Sequence, residues 1–395
     1  MKIETLQQYI ELIDNTVTPR RQLTRDHLKG KLPQAENISK LQETFNSLNE
    51  STGENGKLLL NTDSGSRIEA GADYEIAELE KDLIYFKENE DKFLDFLDDV
   101  MDNFRKQVKQ GREFLSGISI KNFITDRDGT VNNYCARYNT SVQSAYNAIF
   151  LTRFASTVEN PVLLTSAPLE NKGLKDISVV PRDQFVFAGS KGREYEDRQG
   201  NKGNYPIEPH KQQLLDELNS KLKKLLGKSE YEVFARIGSG LQFKFGQTTV
   251  ARQDINHSID EQTSEDFLKK IKLLVKELDP VQQDFRIEDT GLDIEIILTI
   301  EGDNNGLKDF DKGDGILFLN DELKLDLQTG PNLICGDTNS DVPMVEQAMK
   351  LSSDTMTIFV TTDKRLKKKV KKACKKVLFV DNPDTLITIL NLKTL

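Results

Sequence analysis

"NFITDRDGT", residues 122–130, is the stretch on which the reading of this chain turns. Phe123, Ile124 and Thr125 run into Asp126; Asp128 follows two positions later, with Gly129 behind it. A buried strand that ends on two carboxylates and a glycine has two uses. It can be a turn, where Asp and Gly serve local geometry. It can also be the lip of a parallel sheet, where open α/β folds place their ligands. Alone, the stretch reads as a turn.

The rest of the chain shifts that reading. After residue 120, short apolar runs recur and end on polar residues: "VLLT", "VFAG", "PNLICGD" and "MTIFV". Helical stretches lie between several of them. Apolar strands alternating with helices predict a mostly parallel sheet covered on both faces. Residues 120–182 and 301–395 are assigned to this α/β core. Residues 183–300 have another texture. "EVFARIGSGLQFKFGQTTVARQD" predicts hairpin strands, with Phe234, Ile237, Leu241, Phe243 and Phe245 partly alternating with polar positions. "SEDFLKKIKLLVKEL" predicts an amphipathic helix, and "GLDIEIILTI" another strand. This segment is expected to be an inserted α+β cap that closes over the strand ends.

Residues 1–112 read as helical. Ile3, Leu6, Ile10 and Ile13 form one stripe, and Ile38, Leu41, Phe45 and Leu48 another. A longer stripe runs from Ile76 through Leu79, Leu83 and Phe86 to Phe93, Leu97, Val100 and Phe104, with Glu90 interrupting its seam. Two short helices and one long one predict a coiled-coil-like three-helix bundle. "NESTGENGK" and "NTDSGSR" read as a mobile loop between helices. The bundle is expected to be a packing appendage or a homo-oligomerisation device, so its deletion should leave turnover at least partly intact. A rival view makes it the functional part, with the core a passive regulatory domain.

Bulk properties exclude other classes. The net charge of -10 argues against general affinity for nucleic acid. The N-terminus has no apolar signal core, and no run approaches the 18 apolar residues of a membrane span, so a cytoplasmic protein is expected. Three cysteines without CxxC spacing suit reduced thiols, and three scattered histidines give no zinc cluster. Nine Lys and Arg crowd residues 364–376, but Leu366, Val370, Ala373 and Val377 recur at helical spacing. That pattern predicts a helix with a basic solvent face. Contact with an anionic surface, or local attraction of an anionic substrate, is the other use of such a face.

The candidate chemistry lies in four stretches. "TDRDGT" supplies Asp126 and Asp128; "LLTSAPL" supplies Thr165, with Ser166 as rival; "DFDKGDG" supplies Lys312; "GDTNSD" supplies Asp337 and Asp341. Four carboxylates meeting at one sheet edge would repel unless a cation joins them, and an all-oxygen set suits Mg²⁺. Asp126 could then attack phosphorus, while Asp128 gives a proton to the leaving alkoxide and later activates water. A hydroxyl and an ammonium would bind the other phosphoryl oxygens.

These four stretches, in this order, resemble the signatures of the haloacid dehalogenase superfamily of aspartate-dependent phosphohydrolases. The resemblance spans residues of about 120–395 and implies a Rossmann-like core and Mg²⁺. It implies Asp126 as nucleophile, Asp128 as acid/base, Thr165 as the second-motif hydroxyl and Lys312 as the third-motif lysine. Asp126, the Asp128 carbonyl, Asp337 and Asp341 are the implied metal ligands, Asp341 directly or through water. "FAGSKGREY", "GSGLQFK", "YCARYNTSVQSAYNAIFLTRFA" and "LICGDTNSDVPMVEQA" resemble nematode-type trehalose-6-phosphate phosphatases, which also carry a helical N-terminal domain. Thr165-Ser166-Ala167-Pro168 departs from the Thr-Gly-Arg usual at that strand end. The implied activity is hydrolysis of trehalose 6-phosphate; another phosphorylated disaccharide or a glycosyl-phosphoglycerate is the alternative. Arg193, Glu194, Gln242, Lys244 and Glu295 are the expected sugar contacts, because a sugar offers hydroxyls to charged and amide groups near a dry lid.

Overall fold

The computed structural model describes residues 2–53, 56–62, 65, 67–302 and 306–394. The chain opens with α1 (Leu6–Leu28) and α2 (Ala35–Ser51). Thr5 caps α1 in a capping box with Gln8, which satisfies backbone donors at the helix start. A hairpin follows, β1 (Lys57–Asn61) and β2 (Arg67–Gly71), in antiparallel register. The loop expected here is therefore partly strand: Leu58 and Leu60 turn inward while Leu59 is exposed, a period of two too short to stand out in the sequence. The parts of that expectation that fall on residues 54, 55, 63, 64 and 66 lie outside the described residues.

The expected third helix is three helices: α3 (Asp73–Lys87), α4 (Glu90–Val100) and α5 (Phe104–Leu115). Asn89 caps α4 by accepting from the Lys92 N–H, and Asn103 takes a left-handed conformation before α5. Asn89 opens α4 by capping it, and Asn103 opens α5 through its left-handed backbone without a side-chain cap bond; both breaks are local, although the apolar stripe continues past them.

The core follows in the order β3 (Asn122–Thr125), α6 (Ala145–Ala155), β4 (Asn160–Leu164), α7 (Leu174–Ile177), β5 (Val186–Gly189), β6 (Glu194–Glu196) and β7 (Lys202–Asn204). The cap then comprises α8 (Pro209–Leu226), β8 (Leu241–Lys244), β9 (Gln247–Ala251), α9 (Glu261–Leu278), β10 (Phe285–Asp289), β11 (Asp293–Glu301) and β12 (Leu307–Asp309). The chain returns to the core through α10 (Lys312–Leu323), β13 (Asn332–Gly336), α11 (Val342–Leu351), β14 (Thr355–Val360), α12 (Lys364–Ala373), β15 (Val377–Val380) and α13 (Pro383–Leu392).

Among the described residues the core sheet runs β15-β14-β13-β3-β4-β5-β6-β7, parallel from β15 to β5. This corrects the expected cap boundary at 183. β5, buried along its length, and the β6–β7 ribbon hydrogen-bond into the core sheet, so the cap begins after them. At the other end, β12 pairs with β11 and carries the cap past residue 300. Phe234 is also not on a strand. It sits on a short 3₁₀ turn, Glu232–Ala235, with its ring stacked on Phe267 of α9 at 3.8 Å. Phe245 and Gly246 form the tip of the β8–β9 hairpin, between the paired Lys244 and Gln247.

Among the described residues, three apolar clusters hold these parts. One joins Leu6, Leu41, Leu79 and Phe93 of the helical region to Tyr146, Phe150, Phe123 and Leu386 of the core without a break. A second lies on the opposite face of the sheet, under α10, α11 and α12. The third lies between the cap sheet and its helices α8 and α9. In α12, Leu366 and Val370 are buried while the lysines face outward, as the helical spacing predicts. Among the described residues, no helix is long and apolar enough to cross a membrane.

Candidate active site

β13, β3 and β4 are adjacent and parallel, with Cys335, Thr125 and Leu163 in register. The chain positions just beyond them therefore emerge side by side at one sheet edge. Asp126 emerges from β3, Asp337 from β13 and Thr165 from β4. Two glycines make room. Gly129 has φ +85°, and a Cβ there would lie 2.2 Å from an Asp337 carboxylate oxygen. A Cβ on Gly336 would meet the Asp341 Cβ at 2.4 Å. Any other residue at either position would displace a carboxylate.

Lys312 opens α10, which Asp311 caps by accepting from the Gly313 and Asp314 N–H groups. Its ammonium lies 2.5 Å from Asp126 Oδ1 and 2.6 Å from Asp341 Oδ1. The other Asp341 oxygen accepts from the Asp337 N–H at 3.0 Å and the Thr338 N–H at 2.9 Å. Thr130 donates toward Asp126 Oδ2 and Asp337 Oδ1, each at 3.1 Å. Asp126, Asp337 and Asp341 offer carboxylate oxygens that all lie within 4.8 Å of one another, a set that can hold a metal ion.

The electrostatics support that use. Burial, only partly countered by Lys312, pushes the Asp126 carboxyl up to about 7. Burial and the charges of Asp126 and Asp341 push Asp337 up to about 9. Burial also raises Asp341, but Lys312 and the backbone donors outweigh it and hold that carboxyl below its ordinary value. One ammonium is too little to keep three close, buried carboxyls ionised, and a hard divalent cation would supply the missing positive charge.

Asp128 is placed apart from the three-aspartate cluster. Its Oδ1 accepts from the Arg127 guanidinium and from the Ser141 hydroxyl, the latter at 3.0 Å. Arg127, a fully buried cation, also donates to the Ser141 carbonyl. Thr165 is buried, and its Oγ1 accepts from the Ala167 N–H at 3.2 Å, which leaves its own hydrogen to donate. Ser166 is more open.

The cap sheet has one apolar face, packed on α8 and α9, and one polar face. Gln242, Thr249 and Glu295 stand in one row across β8, β9 and β11, with Lys244 two residues along from Gln242. Lys191, from the core turn after β5, reaches Glu295 Oε2 at 3.1 Å. Burial lowers the Lys244 pKa, Glu295 opposes it, and the charges of Lys191 and Lys312 lower it further. The Lys191–Glu295 contact thus joins the polar face of the cap to the core turn after β5.

The structure engages two of the expected sugar contacts elsewhere. Arg193 is buried; it donates to the Gly246 and Leu298 carbonyls of the cap and lies over the Phe310 ring at 4.6 Å. Glu194 accepts from the Leu169 N–H at 3.0 Å and the Ser190 hydroxyl at 2.6 Å. Both tie the core to its cap or its own loops. The sequence reading missed Thr130, Arg127, Ser141 and Lys191. A signal existed for Thr130, which directly follows the quoted aspartates. Lys191 was harder to find: Ser190, Lys191 and Gly192 all have positive φ, a strained turn that only coordinates show.

Comparison with known proteins agrees with this geometry. The family model described as "Trehalose-6-phosphate phosphatase, C-terminal" matches residues 123–386. The one described as "Trehalose-6-phosphate phosphatase N-terminal helical bundle domain" matches residues 5–111. A trehalose-phosphatase of Brugia malayi is 33% identical over 302 residues, covering 72% of this chain and 59% of that protein. An alpha,alpha-trehalose-phosphate synthase (UDP-forming) 2 of Caenorhabditis elegans is 29% identical over 410 residues, 98% of this chain but 33% of its own length. The chain thus spans about a third of the longest curated relatives it matches. A solved trehalose-6-phosphate phosphatase of Aspergillus fumigatus overlays with TM-score 0.40 and 13% identity, over 74% of this chain and 97% of that one, too loosely to bear on function. With two family models matching in tandem along most of its length, the chain belongs to the trehalose-6-phosphate phosphatase family.

Proposed function

We propose that this chain hydrolyses trehalose 6-phosphate to trehalose and inorganic phosphate through an aspartyl-phosphate on Asp126. The observation that carries the reading is the placement of Asp126, Lys312 and Asp341 in one hydrogen-bonded unit at the carboxyl ends of parallel strands, beneath a polar cap face. An Asp126 oxygen forms a bond to phosphorus as the bond from phosphorus to the sugar oxygen breaks. Asp128, as the carboxylic acid, gives its proton to the departing oxygen. Water then attacks phosphorus, Asp128 takes its proton, and the P–O bond to Asp126 breaks to release phosphate. Lys312 and the Thr165 hydroxyl hold the phosphoryl oxygens on which charge spreads.

Mg²⁺ is the cation we assign to Asp126, Asp337, Asp341 and the Asp128 carbonyl; when bound, it supplies positive charge against the phosphate and the carboxylates. Gln242, Lys244 and Glu295 are the groups we assign to sugar hydroxyls, with Lys191 added to them. The three free cysteines are all buried and suit a reducing compartment, and we place the protein in the cytoplasm. Another phosphorylated disaccharide is the second reading, because the cap face alone sets that choice.

Purified protein with Mg²⁺ should release phosphate from trehalose 6-phosphate, with a kcat/KM above that for other sugar phosphates. Asp126→Asn should lose at least about 10³-fold in kcat while keeping the wild-type circular dichroism spectrum. Full turnover in that variant would overturn the mechanism, and a higher kcat/KM on another sugar phosphate would overturn the substrate.

A further inference from the structure

The helical region grips the catalytic loop from two sides. Asn132 closes the turn that carries Asp128: its N–H donates to the Arg127 carbonyl at 2.9 Å, and its carbonyl accepts from the Gly129 N–H at 2.7 Å. On the other side, Ser141 donates directly to the Asp128 carboxylate. Between these two supports stands Tyr74, from the first turn of α3. Its hydroxyl accepts from the Asn132 amide at 3.0 Å and donates to the carbonyl of Val142, the residue after Ser141, at 3.0 Å. Burial and the nearby Glu78 charge hold the phenol well above its ordinary pKa, so it remains a neutral donor.

Further contacts fix the same loop from the same helices. Arg20 of α1 donates to the Val142 carbonyl at 3.3 Å and pairs with Asp82 of α3 at 2.7 Å. Asp82 in turn accepts from the Ala145 and Tyr146 N–H groups at the start of α6, at 2.7 and 3.1 Å. The Ser144 hydroxyl donates to Glu78 at 2.5 Å. Every core partner in this set is a backbone group or a side chain within the segment 132–146. None of them touches Asp126, Asp337 or Lys312.

We infer that Tyr74, on the helical region, is a positioning residue for Asp128: it locks Asn132 and the Ser141–Val142 backbone so that the carboxyl group of Asp128 is held ready for proton transfer. The inference rests on the role proposed above for Asp128. A hydroxyl hydrogen-bonded to both arms of a catalytic loop acts on orientation, and small misplacements of an acid/base group cost rate rather than affinity.

The test uses leaving groups. A sugar alkoxide must be protonated as it departs, whereas p-nitrophenolate departs without help. Tyr74→Phe in the full chain removes only the hydroxyl. It should lower kcat/KM for trehalose 6-phosphate about tenfold and change kcat/KM for p-nitrophenyl phosphate less than twofold, since kcat/KM leaves out the water-attack step that both substrates share. Ser141→Ala should show the same selectivity. The double variant should lose less than the product of the two single losses, because both act on one carboxylate. Equal losses on both substrates, no loss, or fully multiplicative losses would each overturn the inference. If the wild type turns over another sugar phosphate and not trehalose 6-phosphate, the substrate reading fails, and Tyr74 is judged on that alkyl phosphate with the same comparison.

Discussion

Lys81 of α3 and Asp384 of α13 lie 303 positions apart in the chain, yet their charged groups meet at 2.9 Å in the interior. Lys81 also pairs with Glu78 at 2.7 Å, and Asp384 takes hydrogen bonds from Asn133 and Tyr146. A buried ion pair adds modest net stability, but breaking one is costly because the survivor stays buried and unpaired. Lys81→Met should therefore destabilise the protein by about 3–5 kcal/mol in urea unfolding. Deleting residues 1–112 would strip Asp384, the start of α6 and one side of the main apolar cluster together. We expect the remainder to lack a cooperative unfolding transition, contrary to the appendage read from sequence. A truncated protein that melts cooperatively with normal turnover would refute this.

Stability should respond to Mg²⁺ in a pH-dependent way. Asp126 and Asp337 have carboxyl pKa values raised by burial to about 7 and about 9. A carboxyl whose folded pKa exceeds its unfolded value near 4 binds protons more tightly when folded. Its burial therefore destabilises the protein increasingly as pH rises through that window, up to about 9. In chelator, the melting temperature contribution of these groups should fall between pH 6 and pH 9. Mg²⁺ needs the ionised forms, so its stabilisation should be larger at pH 8.5 than at pH 6. Equal melting shifts at both pH values, read by calorimetry, would contradict this account.

Arg193 fastens the core turn to two cap carbonyls, Gly246 and Leu298, and stacks on Phe310. The planar fork is what lets one side chain do all three, and a lysine cannot copy it. Arg193→Lys should loosen cap closure, lowering kcat/KM for the sugar phosphate about tenfold or more. Gly246→Ala should act similarly, since its Cβ would fall 2.0 Å from the Arg193 guanidinium in a backbone of φ +71°. Steady-state kinetics with wild-type values in both variants would show that this contact does not control closure.

Glu295 is nearly enclosed; burial raises its carboxyl, but Lys244, Lys191 and the Lys191 hydrogen bond outweigh that and hold it below its ordinary value. It should therefore be ionised at neutral pH and accept hydroxyl hydrogens. Glu295→Gln should raise KM for trehalose 6-phosphate about tenfold while p-nitrophenyl phosphate, which lacks a sugar, changes little. A parallel loss on both substrates would assign Glu295 to the fold instead.

The sequence by itself determined the pieces that depend on local pattern. Asp126, Lys312, Asp337 and Asp341 could be named because each sits at the end of an apolar strand or the start of a helix, and parallel strands deliver such positions to one edge. The polar row of the cap was legible in part, since Gln242 and Lys244 alternate along a strand. Tertiary structure decided the rest. Arg193 and Glu194 look like sugar ligands in a linear string, but folding carries the cap carbonyls to one and the Leu169 N–H to the other. The breaks at Asn89 and Asn103 lie along an apolar stripe that only Glu90 interrupts, because a cap or a left-handed residue acts at one position while burial averages over many. The attachment of the helical region rests on Arg20 with the Val142 carbonyl, Asp82 with the start of α6, Lys81 with Asp384, and Tyr74 with the Asp128 loop. No sequence spacing encodes such pairs: their partners are up to 303 residues apart, and only the packed chain brings charge and counter-charge together.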